Sequence, residues 1–410
     1  MDVLTVIYLV YGFLALYLLT LYCLIYIQNR KRFFESPPIK KQFSLSMIVP
    51  CYNAEDVIGE TIQSLLNSDY KGLKKIIVAD DCSTDNTYKI AKSFERKYLR
   101  KVKVVRTLKN TGRAAGAKNF GAKFAKTDLI GFTDDDSRPK KDAISKMIGF
   151  FNNSKTGGVT SRVLVQNRDS FLGKLQSLEY KIIAFTRKIL GFVDAIYVTN
   201  GPLSIYRKKA FKDVGGFSMT NWTEDIEITW HMVSKGYKIN IAIPARVYTV
   251  VPSTFKGWFR QRLRWNVGGL QTILTYKKSF LRCGMLGFFI LPYFVLSWSL
   301  AIFGLLILSY RVIRTIIIRY LSTKMSIEAQ TTILTLRDIN LAPSILFFFG
   351  VLMFILGLTY NLLALFHSKE DELEKEGSHY LLAYMFVYLT VYPIILITSI
   401  YKYIKGYNKW

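Results

Sequence analysis

Three short acidic stretches hold side chains that could do chemistry. The first is the pair Asp80 and Asp81, at the end of the apolar run KKIIVAD and ahead of the turn DCSTDNT. Capping of the next helix accounts for Ser83, Thr84 and Asp85, but two adjacent carboxylates are costly there without something to receive. A base or ribose would give them hydrogen-bond donors. The second stretch, TDDDS at Thr133 to Ser137, follows the apolar run DLIGF. Its first and third carboxylates, Asp134 and Asp136, can share one hard cation. Mg2+ and Mn2+ choose oxygen ligands and keep positions open for phosphate oxygens; a solvated turn is the plain alternative. The third stretch, Thr223, Glu224 and Asp225, opens a predicted helix, IEITWHMVSKG, that ends at Gly236. Thr223 as cap and acids in the first turn explain it structurally. A carboxylate held that way can also be aimed at an acceptor hydroxyl as a general base.

A basic, aromatic stretch complements these acids: GWFRQRLRWNVG, from Gly257 to Gly268. A helical period puts Trp258, Gln261, Arg264 and Trp265 on one face, with Phe259, Leu263 and Leu270 on the other. Such a helix can lie at a membrane surface. An amide, a guanidinium and an indole also suit a sugar diphosphate, and the two readings are compatible. The only histidines are His231, His367 and His379, too few for a histidine-based metal centre or triad, so any general base is expected to be a carboxylate. Cys23, Cys51, Cys82 and Cys283 show no paired spacing and are expected as free thiols.

The elements that must position these residues are legible from hydrophobic period. Between residues 43 and 252, short β-rich runs (Leu45 to Val49, Lys75 to Ala79, Val102 to Val105, Leu129 to Phe132) alternate with helical stretches (Ala54 to Leu66, Asn86 to Lys97, Ala114 to Ala125). That alternation predicts a Rossmann-like α/β sheet, with ligands beyond the carboxyl ends of the strands, where these acids fall. Phe171 to Phe192 reads as a long helix that lies on a membrane or packs on the sheet. Residues 253–283 form an interfacial segment between this domain and a membrane region.

Half of the 410 residues are hydrophobic, yet the formal net charge is +27. Apolar and basic residues must therefore be segregated, as in an integral membrane protein with a basic cytoplasmic face. Nucleic-acid binding is the other usual meaning of such a charge, but no nucleic-acid motif is present. The expected spans are Val3 to Gln28, Gly284 to Tyr310, Ala342 to Phe366 and Tyr380 to Tyr401, giving one N-terminal span within residues 1–42 and about three within 284–410. Arg30, Lys31, Arg32, Lys277, Lys278 and Arg282 hold the soluble domain in the cytoplasm at the cell membrane. Arg311, Arg314 and Arg319 run against that trend, and Arg311 to Leu321 is a candidate surface helix. His367 to His379 reads as a solvated charged connector.

Together, the three acidic sites and QRLRW resemble the membrane-embedded branch of the family-2 glycosyltransferases, with its D, DxD, D, QxxRW pattern. The resemblance runs from about Leu45 to Leu270. It extends to PCYNAE at 50 to 55, NTGRAAGAKN at 110 to 119 and NGPLSIYRKKAFKDVGGF at 200 to 217. TEDIEITW through VPSTFKGWFRQRLRWNVGG is most similar to bacterial poly-N-acetylglucosamine synthases, and NGPLSIYR also to hyaluronan synthases; cellulose and chitin synthases share the wider pattern. Those relatives commonly have two or more N-terminal spans where one is expected here.

The resemblance implies a GT-A fold and a UDP-sugar donor. Asp80 or Asp81 would contact the nucleoside, Asp134 and Asp136 the metal-bound diphosphate with Arg113 beside it, and Asp225 would be the base, next to Glu224. Gln261 and Arg264 would close over the diphosphate, and Trp265 would stack on the acceptor sugar. The expected activity is inverting, metal-dependent transfer from a cytosolic UDP-sugar to a growing β-linked polysaccharide, processive and coupled to translocation. Single transfer to a lipid acceptor and an inactive membrane scaffold or nucleotide-sugar sensor are the alternatives. Membrane lipids are partners by composition, and accessory subunits or further copies of the chain are left open.

Overall fold

The structure is a computed structural model that describes residues 3–330, 345–366 and 377–406. Its soluble part is built on an eight-stranded mixed sheet of order β3-β2-β1-β4-β7-β6-β8-β5. The strands are β1 (Leu45–Cys51), β2 (Leu73–Asp80), β3 (Val102–Arg106), β4 (Leu129–Phe132), β5 (Arg138–Pro139), β6 (Thr156–Val165), β7 (Ser204–Arg207) and β8 (Lys238–Thr249). The first four are parallel, and β7 then pairs antiparallel with β4 and β6. β1 is buried along its whole length. That is why LSMIVPC reads as a continuous apolar run rather than an alternating one. The strand order reverses at β1, between β2 and β4, which opens a crevice at their carboxyl ends.

The helices are α1 (Val3–Asn29), α2 (Ile58–Leu66), α3 (Thr87–Lys97), α4 (Ala114–Ala122), α5 (Ala143–Ile148), α6 (Phe171–Gly191), α7 (Lys208–Asp213), α8 (Glu224–Ser234), α9 (Phe255–Tyr276), α10 (Leu291–Glu328), α11 (Ile345–Phe366), α12 (Ser378–Ala383) and α13 (Leu389–Ile404). One apolar core packs α2, α3 and α5 on a face of the sheet. The other core starts on the opposite face with Ile77, Ile130 and Phe132, and takes in Phe185, Trp258 and Leu263. It continues without a break into Tyr22, Leu291, Tyr360 and Ile395 of the apolar helices. The α/β unit and the helical unit thus share a core.

α6 lies between the two. It packs on β6 and β8 and also on α1, α11 and α12, so it is a buried bridge, as its mixed apolar and basic sequence permits. Among the described residues, Val6–Arg32 and Leu286–Glu328 are long and apolar enough to cross a membrane, and Gly350–Phe366 and Thr390–Ile404 are shorter apolar helices. The second of these corrects one expectation: Arg311 to Leu321 is not a separate surface helix but the continuation of α10. Most of the connector from His367 to His379 and the start of the span expected at Ala342 lie outside the described residues.

Candidate active site

The sheet brings the acidic stretches to one rim. Asp80 ends β2, the TDDDS turn follows β4, and Glu224 and Asp225 form the first turn of α8. The group that joins the second and third of them is one sequence reasoning missed, Lys118. It lies on α4, whose small residues Ala115, Gly116, Ala117 and Gly121 let the helix sit close on the sheet. An added Cβ at Gly121 would come within 2.7 Å of Ile48. The Lys118 side chain is 3% exposed, with Nζ 2.8 Å from Glu224 and 3.5 Å from Asp134. Burial disfavours its charge, but Glu224 and Asp134 outweigh that and raise its pKa. The signal was available in NTGRAAGAKN: a lone lysine on the small-residue face of a helix has no solvent to reach.

Asp225 sits at the other end of this charge cluster. Its carboxylate accepts from the Ile226 amide at 2.9 Å, and its carbonyl accepts from Thr229 Oγ1 at 2.6 Å. Burial first and Glu224 second push its pKa up to about 6, while Lys118 and Arg187 hold it down. Glu224 is affected by the same burial, but Lys118, with a smaller contribution from Arg264, lowers its pKa overall. Two neighbouring carboxylates are thereby given different protonation behaviour. Thr223 occupies the N-cap but does not cap through its hydroxyl, which instead contacts Asn221 Oδ1 at 3.3 Å.

Asp134 faces Lys118 on one side and the NGPLS loop on the other. An added Cβ at Gly201 would come within 2.5 Å of the Asp134 carboxylate, so a side chain here would displace that carboxylate. Asp136 accepts from Ser137 Oγ at 3.1 Å and Thr249 Oγ1 at 3.2 Å. Burial and the neighbouring Asp134 raise its pKa. Among the described residues no group of three or more metal-ligating side chains occurs. A pair of oxygen donors with crowded negative charge nevertheless fits a hard divalent cation whose other ligands come from a phosphate and water.

The Asp80 and Asp81 pair is largely satisfied by the protein, against the expectation that it needs a ligand. Asp81 accepts from Thr107 Oγ1 at 3.0 Å and from the amide and hydroxyl of Thr111 at 3.1 and 2.7 Å, which ties down the 107–111 loop. Asp80 is fully buried with Arg106 Nε 3.2 Å from its Oδ2. Its Oδ1 is a buried acceptor without a partner, which makes Asp80 the one of the two with hydrogen-bonding capacity to offer. Arg113 is held by the segment just ahead of the TED turn. Its Nη1 donates to the carbonyls of Thr220 and Asn221 at 2.8 and 3.0 Å, and the guanidinium lies 4.1 Å over Trp222.

The QRLRW helix, α9, runs well beyond the glycines expected at its ends. The face expected to carry Trp258 with Arg264 is split, whereas the face of Phe259 and Leu263 is apolar as expected. Trp258 is buried edge-on against Tyr392, away from Arg264, which is exposed. Leu263 and Phe259 belong to the core shared with the apolar helices. α9 approaches the TED turn through Gly268, where a Cβ would lie 2.1 Å from Thr223 Oγ1. That contact puts Arg264 near Glu224.

A mixed α/β sheet with a carboxylate pair after β4 and two acids opening α8 has the architecture of a glycosyltransferase of GT-A fold. Residues 46–215 match the profile of glycosyl transferase family 2, so the chain carries a domain of that type. It is 29% identical over 374 residues, 89% of this chain and 86% of the relative, to the poly-beta-1,6-N-acetyl-D-glucosamine synthase of Staphylococcus epidermidis. It is 32% identical over 236 residues to the synthase of that name from Staphylococcus aureus strain MSSA476, covering 56% of this chain and 55% of that one. Among solved structures, the mannosyltransferase PcManGT from Pyrobaculum calidifontis, in complex with GDP-Man and Mn2+, has a like fold. Its TM-score is 0.62 at 16% identity, over 97% of this chain and 99% of that chain.

Proposed function

We propose that this glycosyltransferase extends a β-linked polysaccharide from a cytosolic UDP-sugar, with inversion at the anomeric carbon, and that N-acetylglucosamine is the sugar. The observation that carries the reading is the cluster of Asp134, Lys118, Glu224 and Asp225 at the rim of the sheet. Similarity to the staphylococcal synthases over most of the chain supports the polymer product and the donor.

In this reading the acceptor hydroxyl attacks the anomeric carbon as the bond from that carbon to the diphosphate oxygen breaks. Asp225 takes the hydroxyl proton, and UDP leaves. A base with a pKa of about 6 is ionised at neutral pH and still basic enough to accept that proton. Lys118 keeps Glu224 charged and limits the rise at Asp225. Asp80 Oδ1 receives a donor group of the nucleoside, and Arg264 faces the departing diphosphate. Asp134 and Asp136 would hold Mg2+ or Mn2+, which when bound supplies positive charge for the leaving diphosphate. No second carboxylate is needed as nucleophile, which is why a single displacement with inversion follows.

The test is incubation of the purified protein in lipid with a panel of radiolabelled UDP-sugars and Mg2+ or Mn2+. A high-molecular-weight product from UDP-N-acetylglucosamine is expected. An organic-soluble glycolipid would replace the polymer reading with single transfer, and no turnover with any donor would sink both.

A further inference from the structure

The interior arginine of QRLRW, Arg262, has no role in the reaction just described, yet it is the most buried lysine or arginine among the described residues. It is 1% exposed and is paired with Glu179 of α6, itself 3% exposed. Arg262 Nε lies 3.1 Å from Glu179 Oε1, and Nη2 contacts Oε2, a two-pronged fork. Tyr392 of α13 closes the group from the side of the apolar helices. Its hydroxyl bonds to Glu179 Oε1 and accepts from Arg262 Nε at 3.0 Å. The rest of the guanidinium serves α9 itself. Nη1 donates to Gln261 Oε1 at 2.5 Å, and the plane lies 4.1 Å from the Trp265 ring.

One guanidinium therefore uses one edge to lock onto α6 and α13, another edge to hold Gln261, and its face to hold Trp265. Only a planar, five-donor cation can do all three. A buried pair of this kind is weak as a source of stability and better suited to fixing one arrangement among several. We infer that Arg262, pinned by Glu179 and Tyr392, is a positioning residue for glycosyl transfer, setting the side chains of Gln261 and Trp265 in register with the helix that carries Tyr392. This rests on the proposed glycosyl transfer and on the roles the family resemblance implies for Gln261 at the diphosphate and Trp265 at the acceptor sugar.

The test uses the full chain in lipid nanodiscs, with UDP-N-acetylglucosamine as donor and UDP binding measured separately. Arg262→Lys keeps the charge but loses the fork and the stacking face. It is expected to lower kcat by roughly tenfold to a hundredfold, as small misplacements do, with UDP affinity and donor KM within about twofold of wild type. Tyr392→Phe removes one hydroxyl and should lower kcat several-fold in the same manner. The double variant Arg262→Met with Glu179→Met removes both charges together, so the fold is retained, and its kcat is expected to stay as low as that of Arg262→Lys. Wild-type kcat in either Arg262→Lys or the double variant would overturn the inference. Gln261→Ala and Trp265→Ala serve as controls. If these two retain full activity, the proposed site is wrong; if they are impaired while Arg262→Lys is not, only the positioning role fails.

Discussion

Asp225 and Glu224 are adjacent in sequence, and Lys118 makes them chemically unequal. Asp225→Asn is expected to reduce transfer by about 10²–10⁴-fold, the usual contribution of a general base, while UDP binding, measured by calorimetry, survives. Loss of UDP binding would remove Asp225 from the base role. With its pKa raised to about 6, Asp225 is ionised above that pH and protonated below it. The groups facing it are Glu224 on the same helix, Lys118 on α4, Arg187 on α6 and Tyr206 on β7. The rate in a pH profile should therefore be flat at neutral pH and fall about tenfold per unit below pH 6. Lys118→Met removes a cation that holds the Asp225 pKa down, so the acid limb should move to higher pH. It also leaves Glu224 buried without its partner, at about 3–5 kcal/mol by denaturant titration. An unchanged acid limb in that variant would show that Lys118 does not tune the base.

Elements matter here through two close approaches. α4 comes down on the sheet because of its small residues, and α9 meets the TED turn through Gly268. Gly268→Ala puts a methyl against the Thr223 side chain, so α8 and α9 must separate. Overpacking of this kind costs about 1–3 kcal/mol, and the displacement should lower kcat by tenfold or more. A wild-type rate would mean that the QRLRW helix need not stay close to Glu224. The register of these helices was not legible from their periods. The period of α9 assigned Trp258 to the face of Arg264, but packing against Tyr392 buries it. Periodicity ranks the faces of an isolated helix, whereas α9 is contacted on several sides at once. Arg262 was passed over for a similar reason: its partners are 83 and 130 positions away in the chain.

For the whole molecule, the continuous core between sheet and apolar helices means that the acidic rim and those helices cannot move freely past one another. The helix from Leu286 to Glu328 has 43 residues, about 64 Å at 1.5 Å per residue. That is roughly twice the ~30 Å hydrocarbon core, so a membrane crossing would use about half of its length, and Arg311, Arg314 and Arg319 lie in its C-terminal half. Orientation can be read with the protein's own thiols. Cys283 is exposed at the foot of this helix and Cys82 is half-buried in the soluble domain. With the soluble domain in the cytoplasm, a membrane-impermeant maleimide should label both in inside-out vesicles and neither in right-side-out ones. Labelling of either in right-side-out vesicles would reverse the topology.

The sequence by itself determined the α/β alternation, the four strands that carry the rim, the apolar helices and the acids at the strand ends, because these depend on local period and on residue type next to a turn. TDDDS, TED and QRLRW were recognisable for the same reason. Only the tertiary structure decided which acid is which. Asp81 is consumed by the 107–111 loop and Asp80 is not, Glu224 is ion-paired with Lys118 and Asp225 is not, and Arg113 lies over Trp222. Each of these outcomes depends on burial and on a partner distant in the chain, and neither is encoded in the spacing of neighbouring residues.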